Sequence, residues 1–275
     1  MSNCVLQIII ISQIKTLITN VHLYKLIVLH LSLEKIKNMN IKKYIPNFLT
    51  LLNLFCGCIA IVFISDSRFD LAFYFVCLGI FFDFFDGFFA RKFGVSGPLG
   101  VQLDSLADMV TSGVAPGFVM YKMLTPNLSN FCGIVDTSVE DKTAIFPYLG
   151  FIITLGACYR LANFNIDTRQ SDSFIGLPTP ANTLFIMSLP LISVSFIYNP
   201  WVLIAITLLS AYVMNAEIPL FSLKIKNFSF AKYKLQIGFL VASVIMIATL
   251  QFLAVPLIII SYVLLSVVNN MLVKK

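Results

Sequence analysis

Histidine is almost missing from this chain. Only His22 and His30 occur in 275 residues, and both precede the first long uninterrupted apolar run. A histidine-based triad or a histidine zinc site therefore has nothing to build from, and any bound metal must rely on oxygen ligands. Charge is equally scarce, at 12% of residues. The six cysteines, Cys4, Cys56, Cys58, Cys77, Cys132 and Cys158, show no metal-ligand spacing, and Cys56 and Cys58, two apart in an apolar run, read as packing residues. No repeat of solenoid length and no internal duplication stands out, so the chain reads as one domain with an N-terminal extension.

What the chain has in excess is apolar surface. Hydrophobic residues make up 59% of it, and the mean hydropathy is +0.91. A soluble domain carries about 45–50% apolar residues, so this composition predicts a polytopic membrane protein. Apolar runs able to cross the roughly 30 Å of a bilayer's hydrocarbon recur along the sequence. We read about eight, near residues 45–64, 71–90, 103–123, 145–160, 180–198, 200–216, 235–250 and 252–272. The runs are continuous and lack the period-2 alternation of membrane strands, which predicts an all-α bundle.

Lysine and arginine orient it. If residue 45 lies on the cytoplasmic side, Lys42, Lys43, Arg91, Lys92, Arg160, Arg169, Lys224, Lys226, Lys232, Lys234, Lys274 and Lys275 fall inside, and Arg68, Lys122 and Lys142 outside. That asymmetry places both ends of the bundle in the cytoplasm. The net charge of +6 is then mostly a topology signal with some attraction to membrane lipid headgroups. Nucleic-acid binding is not expected, because the aromatic residues lie inside apolar runs rather than on a basic face.

Residues 1–38 are apolar but interrupted by Lys15, His22 and Lys25. They read as an extension, either an interfacial amphipathic helix or an extra span, with Met39 as an alternative start and no small-residue cleavage site. The membrane domain is expected over residues 39–275. Its loop "RLANFNIDTRQSDSFIGLPTPAN", residues 160–182, is rich in hydrogen-bonding groups and is a substrate-site candidate, whereas the loop near 124–144 reads as a solvated connection.

Four acidic residues then stand out within "FFDFFDGFFARKFGVSGPLGVQLDSLADMV", residues 81–110. Asp83 and Asp86 are three apart on one helix and Asp104 and Asp108 four apart on the next, so each pair shares a helical face. The short connection with Gly94, Gly97, Pro98 and Gly100 makes the helices an antiparallel hairpin that brings the pairs together near the cytoplasmic interface. Only Arg91 and Lys92 are local cations, so four carboxylates are left unbalanced. One or two hard divalent cations, Mg²⁺ or Mn²⁺, would relieve their repulsion and leave positions for a substrate diphosphate. Gly87 and Ala90 would let a nucleotide approach the backbone, and Arg91 would offer a guanidinium to a phosphate oxygen. A structural charge network or an ion path is the alternative for membrane carboxylates.

Read as D-x2-D-G-x2-A-R-x8-G-x3-D-x3-D, residues 83–108 carry a pattern that resembles the signature of the CDP-alcohol phosphatidyltransferases. Outside it, "IPNFLTLLNLFCGCIAI", "DSLADMVTSGVAPG", "YRLANFN", "FIGLPTPA" and "NAEIPLFSLK" resemble the bacterial and archaeal phosphatidylserine synthases of that family; Asn163 departs, since a basic residue is expected there. The resemblance implies an integral membrane enzyme of phospholipid biosynthesis, multi-pass in a bacterial inner membrane with its site near the cytoplasmic face, and a homodimer. It would convert CDP-diacylglycerol and L-serine into phosphatidylserine and CMP. It also implies that Asp83, Asp86 and Asp104 are metal ligands and that Asp108 binds metal or acts as general base. Gly87, Ala90 and Arg91 would line the CDP site. Asn47, Thr50 and Asn53 are further candidates to face the nucleotide, and Arg160 to bind phosphate or the serine carboxylate. A sister transferase using glycerol 3-phosphate or an inositol phosphate, and a cation transporter, are the competing functions. The sparse basic residues of loop 160–182, Arg160 and Arg169, lean away from a phosphorylated acceptor.

Overall fold

The computed structural model describes residue 42 and residues 44–131, 145–167, 175–220 and 234–273. The proposed extension, residues 1–38, lies outside them. The described residues from Ile45 onward belong to one compact unit, and they are helical apart from turns and an isolated bridge between Ile175 and Pro219.

Helix α1 spans Ile45–Ser65 and α2 spans Phe69–Phe93. They form an antiparallel pair that turns through Ser67 at φ 59. Helix α2 stops at Gly94, whose φ of 64 is a left-handed C-cap; Val95 N–H bonds Ala90 O at 3.0 Å across it. Arg91 and Lys92 fall in its last turn, where the helix dipole favours positive charge. The chain re-enters at Pro98, which needs no N–H in a first helical turn, and α3 runs Pro98–Asp108. It continues through a π-helical segment, Met109–Val114, into α4, Ala115–Phe131. The loop expected from residue 124 therefore begins later than its composition suggested, and residues 132–144 lie outside the described structure.

A 3₁₀ segment, Phe146–Phe151, leads into α5, Ile152–Ile166. Helices α6, Thr179–Ser188, α7, Pro200–Asn215, α8, Lys234–Leu250, and α9, Ala254–Val273, complete the bundle. Helix α1 packs along α2 and against both α3 and the π segment; α5 packs on α7 and the π segment, and α6 on α9 and α2. Ala60, Ile64, Val76, Met120, Leu124, Ile153 and Met187 are fully buried core residues.

Among the described residues, four helical stretches are long and apolar enough to cross a membrane: Ile45–Ser65, Phe69–Phe93, Phe146–Ile166 and Gln236–Leu272. The last is interrupted by a 3₁₀ turn, Gln251–Leu253, with Gln251 at φ 49. The run expected at 180–198 is not one continuous helix. Its α-helix ends at Ser188, before Pro190, and short 3₁₀ turns follow.

The π segment carries the interior polar contacts. A wide turn leaves carbonyls without their usual i+4 donors, and neighbouring helices supply hydroxyls instead. Thr154 Oγ1 donates to Gly113 O at 2.9 Å, and Thr183 Oγ1 to Ser112 O at 3.0 Å. Gly57 makes room for this on α1, since a Cβ there would lie 3.0 Å from Thr111 Cα.

Candidate active site

The hairpin expected from the spacing of the aspartates is present. Asp83 and Asp86 come from α2 and Asp104 from α3, and one carboxylate oxygen from each lies within 4.8 Å of the others. Asp83 is ten residues before the end of α2, about 15 Å at 1.5 Å per residue. Asp108 stands outside that triangle. It is 8% exposed, and Asn53 Nδ2 donates to its Oδ1 at 3.0 Å.

The first turns of α1 fix the carboxylates. Thr50 Oγ1 donates to Asp86 Oδ2 at 2.5 Å and also lies 3.1 Å from Pro46 O. Thr50 and Asn53, three apart, thus hold Asp86 and Asp108, one each. Asn53 is itself anchored, because Thr111 Oγ1 donates to its backbone oxygen at 3.1 Å. Of the three α1 residues expected to face a nucleotide, only Asn47 and Thr50 line the cleft described next; Asn53 faces Asp108.

Two cavities meet at the carboxylates. A cleft of about 160 Å³ lies between α1, α2 and α3, lined by Asn47, Thr50, Asp86, Gly87, Arg91 and Asp104 among others, with Ala90 also on its wall. The Arg91 guanidinium folds back over Gly87, where a Cβ would sit 3.4 Å from Nη1. On the other side, a cavity of about 230 Å³ is bordered by Asp83, Asp104, Asp108, Arg160, Asn165 and Thr179. Asp104 lines both. Arg160, only 7% exposed, lies 5.9 Å from the Phe164 ring. Pro178, Thr179 and Pro180 of the "GLPTPA" segment border this second cavity; of the loop expected at 160–182, residues 160–166 are instead the end of α5, Thr179 opens α6, and residues 168–174 lie outside the described structure.

The residues fit a hard divalent cation. One oxygen of Asp104 is buried with no hydrogen-bond partner, an arrangement that costs free energy unless something positive meets it. The donor set is carboxylate oxygen throughout, as Mg²⁺ or Mn²⁺ prefers. Two contributors were not singled out individually in the sequence, although the segments that hold them were: Ser105, whose Oγ accepts from Asn165 Nδ2 at 2.8 Å, and Asn165 itself. They are small or common polar residues whose pairing spans 60 positions of chain.

The same stretch of chain is what known proteins share with this one. Residues 43–213 match the CDP-alcohol phosphatidyltransferase family. A CDP-diacylglycerol–serine O-phosphatidyltransferase of Bacillus subtilis is 34% identical over 179 residues, 64% of this chain and 88% of its own. One of Methanocaldococcus jannaschii is 32% identical over 187 residues, 68% of this chain and 79% of its own. An archaetidylserine synthase of Methanothermobacter thermautotrophicus is 31% identical over 147 residues, covering 52% and 56% respectively. The matched residues run through both cavities and all four aspartates, and the chain belongs to the CDP-alcohol phosphatidyltransferase family.

Proposed function

We propose that this protein transfers a phosphatidyl group from CDP-diacylglycerol to L-serine, giving phosphatidylserine and CMP. The observation that carries the reading is the meeting of two cavities at Asp104. One is lined by Gly87, Ala90 and Arg91 and suits a nucleotide diphosphate; the other contains a buried arginine and suits a small carboxylate-bearing alcohol. The names of the relatives agree with this donor and acceptor. Family membership displaces the transport alternative.

Asp83, Asp86 and Asp104 would hold Mg²⁺ or Mn²⁺, which when bound neutralises charge on the diphosphate and its leaving oxygen. Thr50 keeps Asp86 turned towards that site. Arg91 pairs with a diphosphate oxygen, and Gly87 and Ala90 let the nucleotide lie close to α2. In the second cavity, Arg160 takes the serine carboxylate. Asp108, oriented by Asn53, accepts the hydroxyl proton as the serine oxygen bonds to phosphorus. The bond from that phosphorus to the CMP oxygen breaks, and CMP leaves with the electron pair. Binding both substrates beside one carboxylate cluster supplies the proximity the transfer needs.

The reading extends to topology. The bundle crosses a bacterial inner membrane about eight times with both ends in the cytoplasm, residues 1–38 are an extension to it, and two copies associate. The lysine and arginine asymmetry supports the orientation.

Membranes containing the protein, incubated with CDP-diacylglycerol, Mn²⁺ or Mg²⁺ and labelled serine or labelled glycerol 3-phosphate, test it. Serine-dependent phosphatidylserine and CMP, lost in Asp108→Asn, are expected. Product with glycerol 3-phosphate alone overturns the acceptor.

A further inference from the structure

Helix α6 begins on the wall of the catalytic cavity. Pro178, Thr179 and Pro180 border that space, which Asp104, Asp108 and Arg160 also line. The helix runs Thr179–Ser188, with Pro178 as its N-cap and no side-chain hydrogen bond closing its end. Pro180 supplies no N–H, and Asn182 N–H bonds Pro178 O at 3.1 Å. The N–H groups of Thr179 and Ala181 are left without a backbone acceptor, at the positive end of the helix dipole. Such an end favours an anion, but every helix has one, so it decides nothing alone.

Thr179 supplies the second observation. The residue is only 5% exposed. Its carbonyl accepts from Thr183 Oγ1 at 2.8 Å, and its own hydroxyl has no hydrogen-bond partner among the described residues. The Asn182 amide, three residues on, is also without a partner but is sealed in protein; the Thr179 hydroxyl is not. A nearly buried hydroxyl that stays open faces the space its residue lines, here the catalytic cavity. An unmet donor in so dry a place is costly, and its natural complement is a ligand oxygen.

We propose that the first turn of α6 is an oxyanion subsite of this cavity and takes the carboxylate of the acceptor. Thr179 donates its hydroxyl, and the free N–H groups and the helix dipole add to it. The inference rests on serine being the acceptor. It adds to Arg160 a neutral, directional element: a guanidinium attracts any anion, whereas a hydroxyl on a fixed turn places one oxygen. Pro178 and Pro180 restrict the backbone on either side of Thr179, so little freedom is lost when the carboxylate binds. The cavity is divided in sign, with Asp83, Asp104 and Asp108 as one part of its lining and Arg160 and the α6 turn as another. An acceptor anchored by its carboxylate at the donor side presents its hydroxyl to Asp108.

The test uses the full chain in detergent and lipid mixed micelles with CDP-diacylglycerol and Mn²⁺, comparing wild type with Thr179→Val and Thr179→Ser. Thr179→Val keeps the branched shape and removes the hydroxyl. The expected result is a serine KM raised about tenfold, as for loss of a hydrogen bond to a charged group, with kcat and the CDP-diacylglycerol KM within about twofold of wild type. Thr179→Ser keeps the hydroxyl and should restore most of the serine affinity. Both variants should retain the Mn²⁺-dependent rise in thermal stability, which shows a folded protein with its carboxylates undisturbed. Two competitors of serine identify the group that is held: 3-hydroxypropionate, which has the carboxylate and no ammonium, should inhibit Thr179→Val less than wild type, and ethanolamine, which lacks the carboxylate, should inhibit both alike. An unchanged serine KM in Thr179→Val overturns the subsite. So does a Thr179→Ser protein as impaired as Thr179→Val, which makes the residue a packing element. A kcat loss at unchanged serine KM also overturns it and moves the hydroxyl to the transferring phosphate. In these cases wild type still makes phosphatidylserine and the serine reaction stands; a wild-type protein that makes none overturns both.

Discussion

Asn53 and Asp108 lie on different helices, 55 residues apart in sequence, and are joined by one bond: Asn53 Nδ2 donates to Asp108 Oδ1 at 3.0 Å. Asn53 is fully buried and Asp108 nearly so. Removing the amide leaves the carboxylate in place without the donor that orients it. Asn53→Ala is expected to lower kcat by about 10–100-fold, the usual cost of losing a group that orients a site carboxylate. The KM for CDP-diacylglycerol should stay close to wild type, because Asn53 does not line the nucleotide cleft. Steady-state kinetics with varied donor lipid separate the two parameters. A rise in KM with kcat preserved would place Asn53 in donor binding.

The triangle of Asp83, Asp86 and Asp104 predicts an opposite effect on stability and on metal response. Without metal, three carboxylates within 4.8 Å repel, so Asp104→Asn removes a like charge and should leave the metal-free protein at least as stable as wild type. Wild type should gain thermal stability on adding Mn²⁺, by about 2.7 kcal/mol at a hundredfold excess over Kd. The variant should gain much less and lose transferase activity about a thousandfold. Thermal unfolding in detergent, with and without Mn²⁺ and after chelation, measures both. An unchanged Mn²⁺ response in Asp104→Asn would remove the metal assignment.

Gly87 separates donor binding from metal binding. A Cβ there would already reach within 3.4 Å of the Arg91 guanidinium, and a larger side chain fills the cleft of about 160 Å³. Gly87→Val should therefore raise the CDP-diacylglycerol KM about tenfold or more and keep the Mn²⁺-dependent thermal stabilisation. If both are lost together, the substitution has disturbed α2 rather than the cleft.

The carboxylate hairpin was legible because helical spacing is local. Residues three and four apart share a face wherever the helix sits, and a glycine- and proline-containing connection returns the chain. Arg160 and Thr179 were legible as site candidates for a similar reason, since they have no apolar role to play, although the stretch through Ile166 that was expected as loop is the end of α5 and Thr179 opens α6. The π segment at Met109–Val114 left no such trace, since "MVTSGV" differs from an ordinary helix only through the hydroxyls that meet its carbonyls from α5 and α6. The bond from Asn165 to Ser105, and the orientation of Asn215 against Gly156, likewise depend on contacts about 60 residues away. The boundary between the runs at 235–250 and 252–272 falls on the turn at Gln251, whereas the run at 180–198 looked uniform in hydropathy, yet Pro190 follows a helix end within it. Hydropathy measures apolar length and is blind to a backbone turn within an apolar run.

Gly176 tests whether the segment before α6 is built or merely accommodated. Its φ is 76, a region that costs a residue with a Cβ about 1–3 kcal/mol. Space is also lacking, since a Cβ would lie 2.5 Å from Met214 O and 2.9 Å from Ala216 O. The backbone there is pinned on both sides: Gly176 N–H bonds Ile218 O at 2.9 Å, and Leu177 N–H bonds Val213 O at 3.1 Å. Relief by moving away would break these bonds and shift Pro178, Thr179 and Pro180, which border the catalytic cavity. Gly176→Ala should thus lower the Tm in detergent by several degrees, roughly the effect of 2 kcal/mol on a domain of this size. It should also raise the serine KM more than the CDP-diacylglycerol KM. Gly238, which has nothing within 4 Å of an added Cβ, is the control: Gly238→Ala should keep both the Tm and the kinetics of wild type. A Gly176→Ala protein with wild-type Tm would mean that this turn relaxes freely and does not hold the cavity wall.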